Sequence, residues 1–287
     1  MDGLEPCRVS PVASINRTLL DGRTARDLLG APALTALAAE AGLRPDGPVR
    51  SYLDRRLEAS DPAARAVADG YGRRLHALLA ALRSGDRAVR PEWEDPSWWD
   101  RWAAATTIWL GGGLAGGPFG ALVAAAATVP GCTVQVAPAD LPLLGAATLT
   151  TDGPVLDFGH SWVKRAHQRD GRLTRLESVP APDGDATGPE VARDVARILT
   201  ECGTGEPIIA AMAAYVIDGQ PVRTPLGTYA RLADVSTDVP RWLEDRVGAP
   251  VTLLHDGTAA ARAVPPDPHS IVVLLGTSLG VGFPSGS

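Results

Sequence analysis

The stretch LDFGHSWVKRA (156–166) runs from an apolar strand into a carboxylate, a glycine and two small polar groups. Asp157 leaves the strand tip and Gly159 permits a tight turn. His160 and Ser161 then expose donors where a phosphate could lie. The same plan recurs twice downstream. In LLHDGTAAARA (253–263), Asp256 precedes a helix that the pattern starts near Thr258. In VLLGTSLGVGF (273–283), Gly276, Gly280 and Gly282 let backbone N–H groups converge, and Thr277 and Ser278 add hydroxyls, as in an anion-binding nest. Each segment alone has a plainer reading: Asp157 as a turn-capping carboxylate, Asp256 as a helix N-cap, 276–282 as a hairpin turn. Their repetition in one chain sets the three segments apart.

The rest of the sequence frames them. At 287 residues, 45% hydrophobic and 21% charged, with mean hydropathy +0.02, the chain has globular composition and enough length for a sizeable core or two lobes. A net charge of −6, with the signs interspersed, gives no reason to bind nucleic acid. The odd, widely spaced Cys7, Cys132 and Cys202 form neither a disulfide framework nor a zinc pattern. The start MDGLEPCRVS has no apolar core of a signal peptide, so the expected location is the cytoplasm. Lys164 is the sole lysine, which reads either as codon bias or as a retained function.

Residues 102–138 carry no Asp, Glu, Lys or Arg, but LGGGLAGGPFG (110–120) is too glycine-rich for a membrane helix. The pattern predicts a strand over 106–110, a glycine loop, a helix over 118–128 and a strand over 133–137. Gly111, Gly113 and Gly116 match G-x-G-x-x-G. A dinucleotide site further needs an acidic residue closing the second strand, and Asp140 comes late, beyond Pro138. A strong amphipathic helix is predicted over 60–83, with Val67, Tyr71, Leu75, Leu78 and Leu82 on one face. Further helices are expected over 28–42, 189–200 and 238–247. Strands are expected at 155–156, 162–166, 173–178, 208–215, 251–254 and 271–275. Strands alternating with helices indicate an α/β fold. Trp98 and Trp102 share a helical face beside the glycine loop and read as core packing or as a ligand-stacking wall.

Taken together, the three segments resemble the phosphate-1, connect and phosphate-2 motifs of the sugar-kinase, Hsp70 and actin superfamily, and most resemble its ROK group. DFGHSWVKRA is similar to D-x-G-G-T, HDGTAAA to N-D-x-x-A-A, and GTSLGVG to G-T-G-x-G-x-G. IWLGGGLAG (108–116) resembles the adenosine-side glycine segment and LLGAATL (143–149) the closing G-A-A helix. The order differs from the family's: the glycine and G-A-A pieces precede phosphate-1. The resemblance therefore implies a circularly permuted, two-lobe, actin-like ATPase (ribonuclease H-like) α/β fold. One lobe would be 150–265, and the other 1–149 with 266–287.

The same resemblance implies an ATP-dependent kinase acting on a hydroxyl of a small sugar-like or polyol metabolite. Asp157 would hold Mg²⁺, and Asp256 would be the general base. Gly159, His160, Ser161, Gly276, Thr277 and Ser278 would face the phosphates of ATP, Lys164 would add charge, and Gly112 and Gly113 would pass close to adenosine. Departures accompany it. His160 stands for glycine, Ser161 for threonine, Ser278 for glycine and His255 for asparagine. The family's sugar-binding and zinc-binding segments have no counterpart, so no zinc is implied. The alternative is a catalytically inactive relative that binds nucleotide or a small ligand as a sensor or partner. No nucleic-acid or membrane partner is expected, and a homodimer is compatible with the sequence.

Overall fold

The computed structural model describes residues 14–203, 205–224 and 227–284. The beginning of the chain, with Cys7 and the segment read for secretion, lies outside them. The described residues divide into two compact units, one holding Asp140–Pro265 and the other 14–139 with 266–284. No helix among the described residues is long and apolar enough to cross a membrane.

The chain first builds a helical layer. After a short hairpin, β1 (Leu19–Leu20) and β2 (Arg23–Thr24), come α1 (Ala25–Leu29), α2 (Ala31–Glu40), α3 (Val49–Glu58), α4 (Pro62–Ser84) and α5 (Pro96–Ala104). β3 (Thr107–Gly111), α6 (Gly117–Ala126) and β4 (Thr133–Val136) follow. Asp61 caps α4 by accepting the Ala63 N–H at 2.8 Å, and left-handed Gly85 ends it. The face anticipated from helical spacing is the buried one, from Val67 to Leu82. Where one helix was expected over 28–42 there are two. Gly30 leaves helical geometry (ψ 160°), and a Cβ there would meet the Thr277 carbonyl at 2.7 Å. Of the tryptophans, Trp93, Trp99 and Trp102 are buried, with Trp93 and Trp99 edge to face at 4.9 Å, which is core packing.

The unit at Asp140–Pro265 starts with α7 (Leu141–Ala147) and three antiparallel strands, β5 (Asp152–Phe158), β6 (Trp162–Arg169) and β7 (Arg172–Pro180). α8 (Gly188–Glu201) leads to β8 (Ile208–Met212). A small hairpin, β9 (Val216–Ile217) and β10 (Gln220–Pro221), precedes α9 (Val239–Val247), β11 (Val251–His255) and α10 (Asp256–Arg262). The sheet order is β11-β8-β5-β6-β7, with β5, β8 and β11 parallel. Strand alternation sorts the side chains. Leu156, Phe158, Ala210, Met212, Val251 and Leu253 join the core under α8 and α9. Val155, Ile209, Ala211 and Leu254 join a smaller core with Leu143 and Ala146 of α7 and Ala259 of α10. This second core is why the unit boundary falls at Asp140 rather than at 150: α7 belongs with the sheet of β5 and β8, not with the glycine segment.

The chain then returns to its first unit with β12 (Ser270–Leu275) and β13 (Leu279–Gly282), an antiparallel hairpin. β12 lies parallel to β3, and β3 parallel to β4.

α7 and α10 meet backbone to backbone: a Cβ on Gly145 would stand 1.6 Å from the Ala259 carbonyl oxygen. Alanine usually stabilises a helix interior by about 1 kcal/mol over glycine. Here Gly145→Ala is expected to do the reverse and cost about 1–3 kcal/mol, read as a lowered urea midpoint.

Candidate functional site

The parallel strands β5, β8 and β11 end in register, Phe158 beside Met212 and Met212 beside His255. In open α/β sheets that carboxyl edge is where ligands bind. Asp157 stands one residue before the end of β5, on the face covered by α7 and α10, and is buried. Directly across on β6 is Lys164, whose Nζ lies 3.4 Å from Asp157 Oδ2 and 3.1 Å from Asp140 Oδ1. Arg175 also pairs with Asp140. Burial pushes the Asp157 carboxyl up to about 6; Lys164 opposes the shift and Asp256 adds to it. The β5–β6 turn is held by the Gly159 N–H donating to the carbonyls of Asp157 and Trp162, both at 3.1 Å. The Tyr229 hydroxyl donates to the Gly159 carbonyl at 2.8 Å. His160 is half-buried and Ser161 exposed.

Asp256 is the first residue of α10 and not its cap. The cap is His255, whose Nδ1 accepts the Thr258 N–H at 3.3 Å. Asp256 Oδ1 accepts the Gly257 N–H at 2.7 Å and lies 3.1 Å from His255 Nε2. Among the described residues nothing donates to Asp256 Oδ2. Burial pushes this carboxyl, too, up to about 6, with His160 and the Gly257 N–H opposing. Burial drives His255 the other way, down to about 3. Tyr215 stacks on the His255 ring, centroids 5.3 Å apart and planes at 7°. The structure therefore gathers Asp157, Gly159, His160, Ser161, Lys164 and Asp256 at one sheet edge. It adds Asp140, His255, Tyr215 and Tyr229, of which only His255 carried a signal in the sequence.

The remaining expected residues belong to the other unit. Gly276, Thr277 and Ser278 form the β12–β13 turn, so the hairpin reading of that segment is correct in shape. Asn16 anchors the end of this turn through the Leu279 N–H (2.8 Å) and carbonyl (2.6 Å), and the Gly276 carbonyl accepts the Ala31 N–H at 2.9 Å. Gly112, at φ +87°, lies against the end of β12: a Cβ would stand 2.5 Å from the Leu275 carbonyl oxygen. Gly113 faces open space. The amino end of α6 is already taken. Asp54, paired with Arg50 at 2.7 Å, accepts the Phe119 N–H at 2.9 Å and fills the space beside Gly117. A carboxylate there removes the pyrophosphate position that the G-x-G-x-x-G reading requires.

The donor chemistry at Asp157 fits an oxygen-liganded cation such as Mg²⁺. Its carboxylate is desolvated, its Oδ1 accepts nothing among the described residues, and one ammonium at 3.4 Å only partly offsets its charge. Asp152, His167 and Glu206 also cluster, at the opposite end of β5, with His167 Nε2 2.7 Å from Glu206 Oε2. Arg169 pairs with both carboxylates there.

No family model matches the chain, and no curated protein matches it. Among solved structures it is similar to an inorganic polyphosphate/ATP-glucomannokinase from Arthrobacter sp. strain KM, at 23% identity and TM-score 0.37. That match covers 47% of this chain and 58% of the other. A ROK hexokinase from Thermus thermophilus matches at 22% identity and TM-score 0.34, over 47% of this chain and 46% of that one. The ethanolamine utilization protein EutJ from Carboxydothermus hydrogenoformans matches at 12% identity and TM-score 0.38, over 65% and 73%. This chain thus spans about half the length of the two kinases, and what it does has to be read from its own residues.

The shifted groups make stability depend on pH. Asp157 and Asp256 keep a proton up to about pH 6 when folded, against 3.8 ordinarily. Their contribution to stability is present below pH 3.8 and lost as pH rises through 6. His255, held near 3 against 6.5, contributes above 6.5 and loses that contribution as pH falls towards 3. Asp157→Asn is therefore expected to stabilise the chain at pH 7.5 by on the order of 2 kcal/mol. The gain should vanish near pH 4, as compared by urea unfolding at the two pH values.

Proposed function

We propose that this chain is an ATP-dependent phosphotransferase acting on a hydroxyl of a small sugar-like or polyol metabolite in the cytoplasm. The observation that carries the reading is the pair of desolvated carboxylates, Asp157 and Asp256, at the carboxyl edge of one parallel set of strands. Phosphoryl transfer asks a protein for positioning and charge compensation rather than covalent help. Asp157 would hold Mg²⁺, which when bound neutralises phosphate charge. Asp256 Oδ2 would take the proton of the acceptor hydroxyl. Gly159 keeps the β5–β6 turn tight, so the donors of His160 and Ser161 stay beside Asp157. Gly276, Thr277, Ser278, Gly112 and Gly113 are the proposed nucleotide-contacting residues of the other unit.

The architecture supports placing this chemistry on an actin-like fold with rotated chain order. In one unit, strand β5 turns back as β6 and is continued on its other side by parallel β8 and β11. In the other, β12 turns back as β13 and is continued by parallel β3 and β4. The two sheets follow the same path only if β12 and β13 are counted before β3, the rotation that a circular permutation produces.

A second reading, ligand binding without turnover, has one observation in its favour: Lys164 already sits against Asp157 in the position a cation would compete for.

Titration calorimetry with Mg²⁺–ATP separates the readings when followed by an ADP-release assay with polyol and sugar acceptors. Binding lost in Asp157→Ala, with turnover that Asp256→Asn lowers at least ~10²-fold while sparing ATP affinity, is the expected result. Turnover should also rise with pH to a plateau above about 6, as Asp256 ionises. Binding without turnover would establish the second reading, and full activity of Asp256→Asn would remove the base.

A further inference from the structure

Gly159 lets the β5–β6 turn close, and for the same reason the peptide that follows it is the easiest in the turn to flip. The structure removes that freedom. The Gly159 N–H is held by the Asp157 and Trp162 carbonyls, and the Gly159 carbonyl accepts the Tyr229 hydroxyl at 2.8 Å. A carbonyl can only accept, so the phenol donates, and burial keeps its proton in place well above physiological pH. Tyr229 is itself fixed. It is fully buried in the core with Leu156 and Leu232, its ring edge to face with Phe158 at 5.6 Å. It opens the 3-10 helix Tyr229–Asp234, which lies directly on the start of α8: a Cβ on Gly188 would stand 2.7 Å from the Arg231 carbonyl oxygen. The Arg231 side chain ties the same helix down by donating to the Gly184 carbonyl at 2.7 Å.

The consequence falls on the other side of the anchored peptide. A trans peptide is planar, with its C=O and N–H pointing opposite ways, and no peptide among the described residues is cis. With the Gly159 carbonyl turned to Tyr229, the His160 N–H points away from the core that holds the phenol. His160 also lies close enough to Asp256 to oppose the shift of its carboxyl. A flipped peptide would instead present a carbonyl oxygen, which repels an anion. We propose that Tyr229 is a positioning residue: its hydroxyl anchors the Gly159 carbonyl, so that the Gly159–His160 peptide turns its positive, N–H end towards the phosphates of the nucleotide. This rests on the nucleotide binding proposed above, and Tyr229 acts through the turn rather than on the ligand.

Tyr229→Phe removes the anchor and keeps the ring. Val195→Ala, which opens a cavity in the same core from α8, controls for lost stability. Both proteins should unfold at lower urea. Positioning predicts that Tyr229→Phe weakens binding of Mg²⁺–ATP and of Mg²⁺–tripolyphosphate about tenfold in titration calorimetry, and that Val195→Ala weakens neither. Unchanged affinity in Tyr229→Phe, or equal losses in the two variants, would overturn the proposal. Carbon NMR of the Gly159 carbonyl in the ligand-free protein reads the anchor itself. Its signal should move upfield in Tyr229→Phe and stay in place in Val195→Ala. A signal that Tyr229→Phe leaves unmoved would overturn the proposal while the phosphotransferase reading stands. The expected binding pattern without any turnover supports the proposal and removes only the reaction. If the wild-type protein binds neither ligand, the nucleotide reading falls and the phosphate-facing role of Tyr229 falls with it, whatever the carbonyl signal does.

Discussion

The backbone contact between Gly145 of α7 and Ala259 of α10 is the constraint on which the candidate site depends. Asp140 immediately precedes α7 and Asp256 opens α10. Both helices cover the same face of the sheet that carries Asp157 and Lys164. Spacing α7 away from α10 by one methyl group would move a carboxylate at each helix start relative to strands that cannot follow. The missing side chain at Gly145 therefore sets the electrostatics of the edge as much as the packing beneath it.

Those electrostatics work against folding. A desolvated carboxylate is costly unless paired, and Asp157 has one ammonium that it shares with Asp140. Asp256 has only the Gly257 N–H donating to Oδ1 among the described residues. Neither arrangement is what stability alone would select, since an amide or an apolar residue would sit at either position without the penalty. The apolar cores on the two faces of the sheet supply the excess that keeps such groups in place.

The parts of this arrangement that sequence could disclose are those with a local signature. Apolar runs ending in Asp157 and His255–Asp256 announce strands and their tips, because a buried parallel strand needs such a run whatever surrounds it. The amphipathic face of α4 is legible for the same reason. What sequence did not disclose depends on meetings at a distance. Asp140 becomes the second partner of Lys164 only when α7 folds back over β6, and Tyr229 reaches the Gly159 carbonyl across 70 positions. Gly30 looks like an ordinary residue of an alanine-rich helix until the Thr277 carbonyl arrives beside it. α3 has few apolar residues and gave no pattern, yet Asp54 from it decides that the amino end of α6 holds no phosphate.

Two helix beginnings in this chain show how one carboxylate can have opposite meanings. Asp54 meets the amino end of α6 through the Phe119 N–H while paired with Arg50, so its charge is spent and the glycine loop before α6 loses its anion site. Asp256 sits at the amino end of α10 with the capping done by its neighbour, so its second oxygen is left over. What separates a structural carboxylate from a chemically usable one here is the residue beside it. Arg50 consumes Asp54, whereas His255 takes the cap and leaves Asp256 Oδ2 without a donor among the described residues.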